Sequence, residues 1–250
     1  MKDTKIEWAD NTINFYIGCS KISEGCAKCY MFRLENRFGR DPTKIRSTNW
    51  DTIRRNLSKW NPSTIFVNSM SDTFHESLSD SQILEMFHVM NLYPQHNYII
   101  LTKRIKRASE FFNGVKLHDH IWIGTSVENE RYLWRIDELR KIDAKVRFVS
   151  FEPLLNYVND LNLNGIQWVI VGGESDPNPR VMKGGYVLGI FDECKARGIP
   201  FFFKQWGGSK KCDCHKAWGC RLFDGKVWDE MPNQVILQQT KQGLGREDKN

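Results

Sequence analysis

No stretch of this 250-residue chain approaches the roughly 18 consecutive apolar residues that a membrane-spanning helix needs, so no membrane partner is expected. The opening residues, Met1-Lys2-Asp3-Thr4-Lys5-Ile6-Glu7-Trp8, lack the apolar core and cleavage site of a secretory signal, which points to a cytoplasmic protein. Strong charge of either sign is also missing. The net charge of +6 allows a nucleic-acid partner without requiring one. Nor is there an even set of cysteines spread along the chain. The seven cysteines cluster, and without a secretory signal this favours a reducing compartment and metal ligation over a disulfide framework. In other respects the chain is ordinary, 40% apolar and 26% charged, and long enough for one large α/β domain or two small ones.

The first cysteine cluster is the stretch Gly18-Cys19 to Cys29-Tyr30. Cys19, Cys26 and Cys29 are spaced C-x6-C-x2-C, and a glycine directly precedes each of the first two. Thiolates are soft ligands. Three on one short loop can hold three corners of an iron–sulfur cluster, or of a zinc site completed by a distant residue. Glycine lets such a loop double back on itself. The count of three is informative, because an open corner on a cluster is a place for a substrate or cofactor. A chance grouping of thiols is the alternative to both.

After the loop, residues 30–38 and 50–60 read as helices, the second with a basic face and a stop at Pro62. Short β-rich runs then alternate with helical patterns. The runs lie at 64–69, 97–102, 120–126, 146–150, 167–171 and 199–203, and the helices at about 79–92, 105–112, 130–142 and 185–197. The runs are nearly continuous in apolar residues, as in strands buried on both faces of a parallel sheet. With a first strand at Ile13–Ile17, six such units predict an α/β fold: a partial or closed parallel β/α (TIM-like) barrel. A doubly wound open sheet is the alternative. Polar groups recur where the strands end: Asp72, Lys103, Glu128, Glu152, Glu174 and Lys204. In a β/α barrel that end carries the active site, so these residues are expected to line one pocket beside the cysteine loop. Lys103, Glu152 and Lys204 are the candidates for catalytic work; a solvated rim is the other reading. Arg104-Ile105-Lys106-Arg107 is either a phosphate-contacting patch or a solvated helix face.

A second cluster, Cys212, Cys214, His215 and Cys220, has the Cys3His composition of a structural zinc site. An auxiliary iron–sulfur cluster, a contribution to the first loop, or unliganded thiols are its rivals. Cys194 falls within a helical pattern and reads as core. The expected organisation is a barrel with its cysteine loop over residues 1–206, a Cys/His-containing extension over 207–232, and a polar tail over 233–250.

With these residues in hand the chain resembles the radical S-adenosylmethionine (SAM) superfamily. More closely it resembles a radical-SAM-like family distributed through phages and prokaryotes and distantly like spore photoproduct lyase. The matching stretches are the cysteine loop, Phe66-Val67-Asn68-Ser69-Met70-Ser71-Asp72, Leu101-Thr102-Lys103-Arg104, Ser150-Phe151-Glu152-Pro153-Leu154, Val169-Ile170-Val171-Gly172-Gly173-Glu174-Ser175 and Phe202-Phe203-Lys204-Gln205-Trp206-Gly207. The superfamily's commonest spacing is C-x3-C-x2-C with an aromatic before the third cysteine. Here the first gap is six residues, Lys28 precedes Cys29, and Tyr30 follows it. Where relatives carry Trp-Asn-Pro before the loop, this chain has Ile13-Asn14-Phe15.

The resemblance implies a [4Fe–4S] cluster on Cys19, Cys26 and Cys29, SAM on its open iron, and a 5′-deoxyadenosyl radical from SAM cleavage. It also implies an electron donor such as flavodoxin or ferredoxin. By position in the fold it assigns Ser69, Ser71 and Asp72 to the SAM amino group, and Ser126, Glu128 and Asn129 to ribose and carboxylate contacts. Lys103, Arg104 and Lys204 would clamp the carboxylate; Asp72, Glu128 and Glu152 would accept from the ammonium. Glu174 stays in the cofactor-binding set by its place at the mouth. The superfamily's Gly-Gly-Glu role does not pass to Gly172-Gly173-Glu174, which follows a later strand. The substrate expected is a nucleic-acid base or nucleotide. The competing function is a zinc-stabilised nucleic-acid-binding protein without catalysis.

Overall fold

Seven strands run parallel in one sheet and lie side by side in the order in which they occur along the chain. The structure, a computed structural model, describes residue Thr4, residues 6–208 and residues 220–232. The first half contains β1 (Asn11–Ile13), β2 (Tyr16–Ile17), α1 (Tyr30–Arg37), β3 (Arg46–Ser47), α2 (Trp50–Lys59), β4 (Thr64–Val67), α3 (Asp80–Asn91), β5 (Asn97–Thr102) and α4 (Ile105–Phe111). The second contains β6 (Ile121–Ser126), α5 (Trp134–Arg140), β7 (Arg147–Phe151), β8 (Trp168–Gly172), α6 (Gly184–Arg197), β9 (Phe201–Gln205), β10 (Leu222–Phe223) and β11 (Lys226–Val227).

The sheet order is β1-β4-β5-β6-β7-β8-β9, which leaves β1 and β9 as its edges. A doubly wound sheet reverses its strand order at a switch point. This one never reverses; it curls into a half-barrel, so the barrel expectation holds in its partial form. The two faces bury different residues. Ile65, Val67, Ile100, Ile123, Val149, Phe151, Val169, Val171, Phe201 and Phe203 share a core with α2 to α6. Their sequence neighbours Phe66, Ile99, Trp122, Phe148, Trp168, Ile170 and Phe202 form a second core on the other face with Trp8 and Ala9. Burial on both faces is why each strand reads as an unbroken apolar run rather than an alternating one.

The helices begin where the chain supplies a cap. Ser79 and Gln82 form a reciprocal capping box at the start of α3, and the Asn49 side chain accepts from the Thr52 N–H at the start of α2. Two expectations shift. The first strand is not continuous over Ile13–Ile17: β1 ends at Ile13, and Tyr16–Ile17 pairs antiparallel with Arg46–Ser47. The cause is a side-chain bridge to the end of β4. Asn14 Oδ1 accepts from the Met70 N–H at 2.8 Å, and Asn68 Oδ1 accepts from the Phe15 N–H at 2.9 Å. The helix expected at 130–142 divides into a 3-10 turn over Glu130–Tyr132 and α5, because the Asn129 side chain caps Arg131 N–H and tightens the first turn. No described helix is long and apolar enough to cross a membrane.

Within the expected 207–232 extension, residues 220–232 carry the β10–β11 pair. It packs onto the barrel through Phe223 and Trp228, whose rings lie 5.3 and 4.6 Å from that of Phe191 on α6. Residues 233–250 lie outside the described residues.

Candidate metal and cofactor site at the strand C-termini

The cysteine loop leaves β2 and crosses the C-terminal mouth of the half-barrel. It is fastened there at three places. At the near side, Arg104 donates from Nη1 to Cys19 Sγ at 3.6 Å and from Nη2 to Ser20 Oγ at 2.6 Å. His75 Nε2 accepts from the Ser20 N–H at 3.1 Å. In the middle, Ser23 Oγ donates to Glu128 Oε1 at 2.5 Å, and the Asn129 amide bonds to Glu24. At the far side, Arg180 Nη2 donates to the Glu24 carbonyl at 3.0 Å, and Lys28 Nζ stands 3.8 Å from Glu174. The loop therefore bridges the ends of β4, β5, β6 and β8.

Gly25 lies flat on Glu128. A Cβ there would sit 2.5 Å from the Glu128 carboxylate, so only glycine allows this approach. Glu128 is fully buried, and Arg135 Nη1 answers its charge at 2.9 Å with Lys103 Nζ at 3.4 Å. Ser126 contributes its carbonyl to the same guanidinium at 2.8 Å.

Cys19 follows β2, Cys26 closes a 3-10 turn over Glu24–Cys26, and Cys29 caps α1. All three thiols are free. Burial raises the proton affinity of Cys19, the nearby charge of Asp72 adds to it, and the thiol is pushed up to about 12 although Arg104 opposes the shift. Burial also raises Cys29. The nearby Cys26 adds to both shifts. Among the described residues no three His, Cys, Asp or Glu side chains stand close enough to share one metal ion.

The structure brings the strand-end residues together as ion pairs and hydrogen-bonded pairs. Asp72 accepts from Thr102 Oγ1 at 2.6 Å, Lys103 N–H at 3.2 Å and Arg104 Nη1 at 3.2 Å. Glu152 meets Lys204 Nζ at 2.7 Å and accepts from Ser150 Oγ at 3.0 Å. Desolvation by itself would lower Lys204, but the Glu152 carboxylate beside it wins and raises it. Gly172 makes room for the pair, since a Cβ there would meet Glu152 Oε1 at 2.8 Å. Glu174 is chelated by Arg180, whose Nε lies 3.1 Å from Oε1. Ser69 gives its carbonyl to the Tyr30 hydroxyl, and the Ser71 hydroxyl is enclosed without a partner.

From the second cysteine group the described residues include Cys220 alone. It is buried, and its Sγ accepts from the Leu222 N–H at 3.3 Å. Cys212, Cys214 and His215 lie outside the described residues. Cys194 is fully buried on α6, as a core residue should be.

Pattern along the chain does not single out Arg135, Arg180, Glu76, Ser20 or His75.

No curated protein matches this chain in sequence. Among solved structures it is similar to a spore photoproduct lyase mutant, with 17% identity and a TM-score of 0.44. That likeness covers 66% of this chain and 56% of the other, so the chain spans little more than half the length of that protein. A family model described as "Protein of unknown function (DUF5131)" matches residues 3–232, nearly the whole chain, and the protein belongs to that family.

Proposed function

We propose that this protein is a radical SAM enzyme, with Cys19, Cys26 and Cys29 as ligands of a [4Fe–4S] cluster and SAM as the cofactor of its open iron. The observation that supports the reading is the cysteine loop: three free thiols on one loop across the strand C-termini of a β/α half-barrel, over a ring of ion pairs. When bound, a reduced cluster of this kind supplies one electron to SAM, breaking a carbon–sulfur bond and yielding a 5′-deoxyadenosyl radical.

The chain's own residues do the remaining work. Ser69, Ser71, Asp72, Ser126, Glu128, Asn129 and Glu174 form the cradle for SAM. Within it Asp72, Glu128 and Glu174 each neutralise a guanidinium, so they act as the frame that keeps the cradle's shape. Lys103 and Lys204 supply positive charge toward a carboxylate, and Glu152 keeps Lys204 protonated as a donor. The aromatic floor beneath them excludes water from the lower hollow.

The substrate we propose is a nucleic-acid base or nucleotide. What supports it is the surface beside the mouth. Residues 28–46 carry six basic against two acidic side chains, and Phe38 is exposed with the Arg40 guanidinium 5.6 Å from its ring centroid. Basic groups that meet phosphates and an exposed ring for stacking suit a single strand. A flavodoxin or ferredoxin is the electron donor this chemistry calls for.

The test is anaerobic purification, iron, sulfide and zinc analysis, and an electron paramagnetic resonance spectrum of the reduced protein with and without SAM. About four irons per chain, a spectrum altered by SAM, and 5′-deoxyadenosine lost in Cys19→Ala are expected. Zinc without iron would overturn the reading.

A further inference from the structure

One buried guanidinium holds the Cys19 end of the loop. The Arg104 side chain is 8% exposed, and each of its three nitrogens is engaged. Nε donates to Glu76 Oε2 at 2.6 Å. Nη2 donates to Ser20 Oγ at 2.6 Å and to the Ser20 carbonyl at 3.3 Å. Nη1 donates to Asp72 Oδ2 at 3.2 Å and to Cys19 Sγ at 3.6 Å. A guanidinium is planar and its donors form a rigid fork. With Nε tied to Glu76 and Nη2 tied to Ser20, the plane is set, and Nη1 is left aimed at the sulfur. The backbone of Arg104 is fixed as well, through its N–H to Thr102 Oγ1 at 2.9 Å.

We propose that Arg104 is a positioning residue that tunes the redox centre: its N–H to Cys19 Sγ raises the reduction potential of an iron–sulfur cluster held by that thiolate. The inference rests on the cluster reading above. Hydrogen bonds to cluster sulfurs are one of the protein's levers on potential, because reduction adds negative charge that a donor stabilises more than it stabilises the oxidised form. Asp72 and Glu76 offset the guanidinium charge at a distance. The effect is therefore local to the sulfur and depends on the fork's geometry as well as on the charge.

The experiment uses the full-length protein prepared anaerobically, with iron counted per chain and the midpoint potential read by a redox titration followed by electron paramagnetic resonance. Three variants are compared with the wild type: Arg104→Gln, Arg104→Lys and Ser20→Ala. All three should keep the wild-type iron content. The potential should move negative, most in Arg104→Gln, less in Arg104→Lys, and least in Ser20→Ala, where the fork loses one anchor. An unchanged potential in Arg104→Gln at full iron content would overturn the proposal. So would loss of iron from both arginine variants with circular dichroism intact, since Arg104 would then be only a latch for the loop. If the arginine variants do not fold, Ser20→Ala decides: a negative shift supports the proposal and an unchanged potential sinks it. Failure of the cluster reading itself shows earlier and separately, as wild-type protein without iron, and takes this inference with it.

Discussion

The two ends of the same parallel sheet are built from opposite materials. At the strand N-termini the hollow of the half-barrel is closed by carbon. Trp8 packs edge-on against Phe66 at 4.6 Å and Trp168 at 6.1 Å, with Trp122, Phe148 and Phe202 completing the cluster. At the C-termini the same inward positions carry Lys103, Ser126, Glu152 and Lys204, and the loop above them adds three thiols. On β7 and β9 one face therefore runs from aromatic to ionised within a few residues. Apolar surface at one end provides stability through burial. Ion pairs at the other end cost desolvation and leave little net stability, but they place charge where a ligand can use it.

The largest expected effect lies at the ionised end. Glu128→Gln leaves Arg135 buried without its partner and should cost about 3–5 kcal/mol in chemical denaturation, the usual penalty for half of a buried ion pair. Arg135→Met in the same chain should restore part of that loss, and iron content should fall in both variants because the charge-assisted Ser23 bond that fastens the loop is weakened to a neutral one. Trp8→Ala is the counterpart at the closed end. It should cost about 3–5 kcal/mol for the cavity it opens and leave iron per chain unchanged. Equal loss of iron in Trp8→Ala would erase the division between the two ends.

Gly25→Ala should act locally, at about 1–3 kcal/mol of overpacking against Glu128, with a disproportionate loss of iron from the cysteine loop. Metal analysis beside a melting curve separates the two. The smallest effect is a pH dependence at the N-terminal end. Burial lowers His96 and His120, which sit just before β5 and β6. A histidine held neutral in the fold takes up protons more readily once unfolded. Stability should therefore be full above the ordinary histidine pKa of about 6.5 and decline as pH falls below it. His96→Gln and His120→Gln should flatten that slope; an unchanged slope would remove the histidines from the account.

The comparison also explains what could be read along the chain. The strands were legible because burial on both faces leaves a run with no alternation, and α3 was legible as a helical pattern over about 79–92. The ring of strand-end residues was legible because register in a parallel sheet brings successive C-termini to one level. Arg104 was legible as a candidate cation but not as the partner of Cys19, and Arg135 was not legible at all, because each sits in a helix or at its start among other charges. Nothing in its own neighbourhood marks it as buried. The break after Ile13 was hidden for the same reason, since it depends on Asn14 and Asn68 meeting residues more than fifty positions away.

The sequence by itself determined the class of fold, the cysteine loop and the polar level at the strand ends, because these follow from local pattern and from the period of secondary structure. Only the tertiary structure decided which carboxylate answers which cation. It also decided that the sheet stops at a half-barrel and that the loop is tied across its mouth at β4, β5, β6 and β8. Those are contacts between distant residues, chosen by packing and by the need to pair every buried charge.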